Sequence, residues 1–543
     1  MYPLIRIKNI ALSAMLATLV LASSHTTLHA QPARASAGLP SLGDNAELSA
    51  AAERQMGDRI ATSIYRDPDY LDDPVLWDYV QGIWQPLMAA ARARGEVTGE
   101  VDERFAWHVF LMRDRSINAF ALPGGYLGVH TGLISAVSNR DELAAVLAHE
   151  LSHVTQRHIS RLVSQQTNQA PWMVGAMILG MLAASKNPQA ANAIMAGGQA
   201  MAIQNQLNFS RDMEREADRI GFGVMTDAGF DGRGTTGMFE KLQQAARLND
   251  GGGFAYLRTH PMNTERIGDA QARLQLLTNT ATKPDAQTIA AARQQALVHA
   301  MMAARARVLS EPGADVMRSL AEQALRVAPK AGQAAGASNV DPRDVGALYG
   351  GALVAMKARD HTTAAGYAAK LGLLLASDTA DSPARQSSAL LQLELALARG
   401  VVAADAAGID INTTSLRAAL FMQSRVLLAS NRAPEVSARL SSWVAERPQD
   451  AGAWQLLAQA YGNQNLSARA IRSDAEAQVA RYDYAAALDR LRAAQAMLRS
   501  NPASGDFMDA SIIDTRARRV ELLVREQALQ DKLDRKLQHG VNQ

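Results

Sequence analysis

His149, Glu150 and His153 stand as His-Glu-x-x-His inside the run Glu142-Leu143-Ala144-Ala145-Val146-Leu147-Ala148-His149-Glu150-Leu151-Ser152-His153. Leu143, Val146, Leu147, Leu151 and Val154 recur at helical core spacing, so the run reads as a helix. Residues four apart on a helix share a face, so His149 and His153 can aim two imidazoles at one point. Zinc accepts imidazole nitrogen at about 2.0–2.1 Å, and a catalytic site keeps three protein ligands and a water. Glu150, beside the first histidine, can reach that water as general base. The chain has no cysteine, so the remaining ligand must be a histidine or a carboxylate.

That ligand is sought in Ser210-Arg211-Asp212-Met213-Glu214-Arg215-Glu216-Ala217-Asp218, which also reads as helix. Glu214 and Glu216 point about 200° apart on such a helix, so only one can face the metal. Glu214 has Asp218 four residues on, which adds an acceptor for the far nitrogen of a ligand histidine. We assign Glu214 as ligand and Asp218 as orienting residue. Glu216 is expected to be solvated or paired to an arginine.

These residues need a scaffold. Helices are expected over Glu47–Ile64 and through Leu76, Tyr79, Val80, Ile83 and Leu87. Phe105–Met112, Ile117–Leu122 and Tyr126–Val129 read as strands, with Pro123-Gly124-Gly125 breaking the second from the third. Ser138-Asn139-Arg140-Asp141 supplies an N-terminal cap for the motif helix, which is expected to continue to about Val163. His108, His130 and His158 lack metal-ligand spacing and are read as structural or surface residues.

With 543 residues, two to four domains are expected. Residues 1–30 read as a signal peptide: Arg6 and Lys8, then the apolar Ile10–Ala22, with a cut after Ala30. That marks the mature chain for export. Removing those two basic residues balances the 53 acidic side chains, so nothing in the charge favours nucleic acid. Residues 171–205, rich in Met and Ala, read as a buried hairpin, or else as a flap or membrane-facing patch.

The His149/His153 motif, Glu214-x-x-x-Asp218 and Asn118-Ala119-Phe120-Ala121-Leu122-Pro123-Gly124-Gly125 together resemble the M48 zinc metallopeptidases. More narrowly, the chain is similar to periplasmic members with a C-terminal tetratricopeptide region. The resemblance spans roughly Glu47 to Ala272 by motif. It implies a mainly α protein: a zincin-like α+β peptidase domain with a small sheet, then an all-α solenoid. It also implies one Zn2+ per chain on His149, His153 and Glu214, with Glu150 as base. Family members have a His-Pro segment followed by Glu-Arg-Ile, here His260-Pro261-Met262-Asn263-Thr264-Glu265-Arg266-Ile267. His260 either fills zinc's fourth position at rest or holds the oxyanion. Arg266 either pairs with a site carboxylate or anchors its helix. Ala119–Val129 is the candidate edge for pairing with substrate backbone. The expected domains are 31–277 (peptidase), 278–288 (linker) and 289–543 (repeats).

The C-terminal half is helical and rich in Ala and Leu. Trp454-x-x-Leu457-Ala458-x-x-Tyr461 matches the opening of a tetratricopeptide repeat, with Pro448 six residues before it. Tyr484, Ala487, Leu491 and Ala494 show second-helix spacing about half a repeat on, an imperfect register. Less regular units fall around Val298–Pro329 and Tyr349–Leu374, and Ile512–Gln538 reads as a capping helix. A solenoid of helix pairs offers a concave face to polypeptides. The resemblance implies unfolded outer-membrane proteins and outer-membrane assembly machinery as partners, with peripheral membrane contact. The rival reading is a periplasmic chaperone or scaffold with a largely closed peptidase site.

Overall fold

The computed structural model describes residues 48–165, 210–248, 255–278, 285–327, 340–400, 415–500 and 506–541. The expected signal peptide, the 171–205 segment and Gly251–Gly253 lie outside the described residues. In the first half, α1 spans Ala50–Arg66, α2 Pro74–Ala93 and α3 Gly99–Arg104. Strands β1 (His108–Met112), β2 (Ala119–Leu122) and β3 (Tyr126–His130) follow, then α4 (Thr131–Ala136), α5 (Arg140–Thr155) and α6 (His158–Gln165). Next come α7 (Arg211–Asp227), α8 (Arg233–Leu248), α9 (Ala255–Thr259) and α10 (Thr264–Thr278).

The sheet has the order β1-β3-β2, with β3 parallel to β1 and antiparallel to β2. All five residues of β3 are buried. Gly124 (φ 73°) and Gly125 (φ 85°) make the β2–β3 turn in the left-handed region, where a side chain would be strained. The candidate substrate edge therefore narrows. Tyr126–His130 is paired on both sides, so within the candidate stretch only Ala119–Leu122, which packs against α5, has an open side among the described residues.

The motif helix is shorter than expected. It ends at Thr155, and Arg157 takes a positive φ of 51° before α6 begins at His158. The turn is held by Arg157, which pairs with the buried Glu53 of α1 at 3.1 Å.

The second half is all helical: α11 (Ala286–Leu309), α12 (Ala314–Arg326), α13 (Pro342–Lys357), α14 (His361–Leu374), α15 (Pro383–Ala398), α16 (Arg417–Ala429), α17 (Ala433–Glu446), α18 (Ala451–Asn463), α19 (Ser467–Ala480), α20 (Tyr484–Ser500) and α21 (Phe507–Val541). Arg417 to Ala451, Ala429 to Asn463, Ala433 to Ser467 and Glu446 to Ala480 are each a step of 34 residues, the tetratricopeptide period. The turns within the two pairs repeat as well, with Asn431 at φ 60° and Asn465 at φ 59°. The Tyr484 stretch is corrected by this register. It starts the first helix of a following pair, 33 residues after Ala451, and is not a second helix half a repeat on.

One apolar cluster takes buried residues from both halves, among them Leu147 of α5, Leu297 of α11 and Val426 of α16. Two adjacent aspartates before α2 join the halves. Asp73 takes Arg305 of α11 in a two-pronged pair (2.9 and 2.6 Å), and Asp72 takes Arg417 of α16 at 2.7 Å. Asp78 of α2 accepts from the backbone N–H groups of Arg417 (3.1 Å) and Ala418 (2.7 Å), capping α16 from across the junction. Burial raises the Asp78 pKa to about 6 against those hydrogen bonds. On the other side, the Tyr126 and Tyr482 hydroxyls meet at 2.6 Å.

Candidate metal centre

Asn139 caps α5, its side chain accepting from Glu142 N–H at 2.9 Å. From Val146 to Thr155 every residue of α5 is buried. The two motif histidines therefore sit in the core, with their Nε2 atoms 3.0 Å apart.

Helix α7 starts from Ser210, whose Oγ accepts from Met213 N–H, and packs along α5. Gly221 allows close approach, since a Cβ there would lie 3.0 Å from Ala148 O. Glu214 and Asp218 lie on that same α7 face, seven and three residues before Gly221. Glu214 Oε1 is 3.5 Å from His153 Nε2, and its Oε2 is 3.5 Å from His149 Nε2. Asp218 Oδ1 is 3.0 Å from His149 Nδ1. Arg266 grips Asp218 with two hydrogen bonds, 2.6 and 2.8 Å, and reaches Glu214 Oε2 at 2.7 Å.

His260 follows α9 and is 1% exposed. Its Nδ1 is 2.9 Å from Glu214 Oε1 and 3.3 Å from His149 Nε2, while Nε2 is 3.4 Å from Glu150 Oε1. Donor atoms of His149, His153, Glu214 and His260 all lie within 4.8 Å of one another. A tetrahedron with arms of about 2.0–2.1 Å has edges of about 3.3–3.4 Å. Separations of 2.9 to 3.5 Å within the set lie near that edge but draw on both Glu214 oxygens, and with one atom from each residue the four donors lie within 4.8 Å; their types, imidazole and carboxylate, suit zinc. Glu150 is fully buried, and neither of its oxygens makes a well-formed hydrogen bond.

Burial alone would lower the His149 pKa, but the Asp218 and Glu214 carboxylates outweigh it and raise it to about 10. A metal loading here must displace a proton. Burial pushes His153 well below the usual histidine range, with Glu214 opposing. Burial raises the Glu150 carboxyl, tempered by His260 and His149. Glu214 is held well below the carboxylate range, since His260, His149 and His153 overcome its burial.

Two residues near the centre were missed. Tyr256, buried on α9, stacks on His260 with centroids 4.5 Å apart. Its place four residues before His260 was readable by the spacing that marks His149 and His153. His158 is also fully buried, with Nδ1 2.8 Å from His153 Nδ1 and Nε2 3.0 Å from Glu216 Oε2. Glu216 pairs in turn with Arg161 at 2.8 Å.

A helix bearing His-Glu-x-x-His over a small sheet, faced by a second helix bearing glutamate, defines the class: a zincin-like metallopeptidase domain. Residues 80–274 match peptidase family M48. It is similar to the putative beta-barrel assembly-enhancing protease of Vibrio cholerae, 33% identical over 237 residues, which cover 43% of this chain and 47% of the relative. It is likewise 34% identical to the beta-barrel assembly-enhancing protease of Escherichia coli over 237 residues, with the same coverage of 43% and 47%. The mitochondrial metalloendopeptidase OMA1 of Schizosaccharomyces pombe is 34% identical over 164 residues, 30% of this chain and 44% of the relative. The chain thus spans about half the length of the curated relatives it matches.

Proposed function

We propose that the chain is a zinc-dependent endopeptidase of the bacterial cell envelope, acting on unfolded or stalled outer-membrane proteins in the periplasm. The observation that carries the reading is the buried convergence of His149, His153, Glu214 and His260 beside Glu150. His149, His153 and Glu214 would hold the ion. When bound, zinc supplies Lewis acidity at the scissile carbonyl and a water of pKa near ~7. Glu150 takes the water's proton and passes it to the departing amine. Asp218, fixed by Arg266, orients His149 through Nδ1. Backbone pairing along Ala119–Leu122 would align the substrate.

Names of relatives that refer to β-barrel assembly suggest the substrate class, and the 34-residue step of the C-terminal helices suggests a tetratricopeptide array that selects it. Among the described residues no helix is long and apolar enough to cross a membrane. Any membrane contact in this reading is peripheral.

His260 supports the second reading, a scaffold whose peptidase site is closed. Its Nδ1 stands among the other donors, 3.3 Å from His149 Nε2 and 2.9 Å from Glu214 Oε1, where it would take the fourth position that water needs. One experiment tests both readings. Full-length wild type and His260→Ala are incubated with an unfolded outer-membrane protein, with and without chelator, and the products are sequenced by mass spectrometry. We expect hydrolysis that stops on chelation and returns with zinc, and that rises in His260→Ala. Hydrolysis that survives chelation overturns the peptidase reading. A fall of about 10²–10³-fold in His260→Ala would make this residue an oxyanion donor and not a plug.

A further inference from the structure

The two motif histidines are backed differently. His149 meets a carboxylate directly, as Asp218 lies 3.0 Å from its Nδ1. His153 meets an imidazole instead, His158 Nδ1 at 2.8 Å, and only beyond it the carboxylate of Glu216. His158 reaches this place because the chain breaks at Arg157. On an unbroken helix a residue five places after His153 would point about 140° away from it.

We propose that His158 and Glu216 are positioning residues that fix the tautomer and orientation of His153 as a metal ligand. The inference rests on the metal reading above. If His153 Nε2 is to ligate, the protons can be placed in one way only. Nε2 must be bare, so Nδ1 carries the hydrogen and donates it to His158 Nδ1. His158 then carries its own hydrogen on Nε2 and donates it to Glu216 Oε2. The reverse placement puts a hydrogen on His153 Nε2 and removes it from the ligand set. Glu216 makes that reverse placement costly, because an ionised carboxylate accepts and cannot donate. Arg161, 2.8 Å from Glu216 Oε2, holds the carboxylate in its charged form. The relay also runs outward: the His158 side chain is fully buried, while the Glu216 and Arg161 side chains are 30% and 36% exposed. One ligand is thus anchored inside the core and the other is anchored from the surface, through one intervening ring.

The test measures metal affinity and not turnover. Apo full-length protein is titrated with zinc against a chromogenic chelator, and the Co2+ form is examined by its visible absorption. His158→Phe keeps the ring volume and removes both hydrogen bonds. His158→Gln keeps an acceptor and a donor. Glu216→Ala removes the outer anchor from the surface, where folding is least at risk. We expect zinc affinity to fall about 10-fold or more in His158→Phe and about 10-fold in Glu216→Ala. Both variants should show an altered Co2+ spectrum, and His158→Gln should recover most of the affinity. Wild-type affinity with an unchanged Co2+ spectrum in Glu216→Ala overturns the relay, and this variant decides alone if His158→Phe does not fold. A wild type that takes up no stoichiometric metal fails differently: it rejects the metal reading, and the relay with it.

Discussion

Glu150→Gln is expected to lower peptide hydrolysis by about 10²–10⁴-fold, the usual worth of a positioned proton carrier. The substitution keeps volume and burial while removing the ionisable group. Glu150 lies at 0% exposure, and His260 Nε2 stands 3.4 Å from its Oε1. It is one position past a ligand histidine, so it projects beside the donor cluster and is not part of the set of four. The variant should therefore bind zinc as wild type does and unfold at the same denaturant concentration. Initial rates on an unfolded polypeptide, with metal content measured on the same samples, check this. Near-wild-type cleavage by Glu150→Gln would remove Glu150 from the mechanism.

The second large effect is on stability. Arg305→Met is expected to cost about 3–5 kcal/mol, the range for breaking a buried ion pair from one side. Arg305 is 2% exposed and Asp73 7%, so the abandoned carboxylate has little water to turn to. Asp73 would keep the hydrogen bond from Leu76 N–H at the start of α2. Glu394, also paired to Arg305 at 2.8 Å, would lose its partner too. Helix α2 packs on α5 and α7, so the loss reaches the elements that carry the histidines. Arg318 makes a useful control. Its pair with Asp315 is exposed on both sides, 74% and 90%, so Arg318→Ala should leave the unfolding midpoint unmoved. Equal midpoints for Arg305→Met and wild type would show that the junction does not depend on this pair.

The centre was legible where its geometry is local. His149 with His153, and Glu214 with Asp218, each lie four apart on one helix, and a helix puts such residues side by side whatever surrounds it. Choosing Glu214 over Glu216 needed only that rule, and Glu216 is found paired to Arg161, 2.8 Å away. His158 was not legible because its position depends on the left-handed Arg157, and no glycine or proline marks that break. The anchor of that turn, Glu53, lies 104 residues away in sequence. The same holds for the junction. Arg305 and Asp73 are 232 residues apart and Arg417 and Asp72 are 345 apart, so no periodicity connects them. The repeat step is visible at Trp454 in the sequence, but its preceding copy starts at Arg417, where the matching tryptophan is absent.

The most direct measurement is the zinc content of the purified full-length protein after dialysis against metal-free buffer, compared with His149→Ala and Glu214→Ala. About one zinc per chain in wild type, and a clear loss in both variants, is the expected result. Wild type without stoichiometric zinc, or variants that keep it in full, would contradict the assignment of His149, His153 and Glu214 as the metal site.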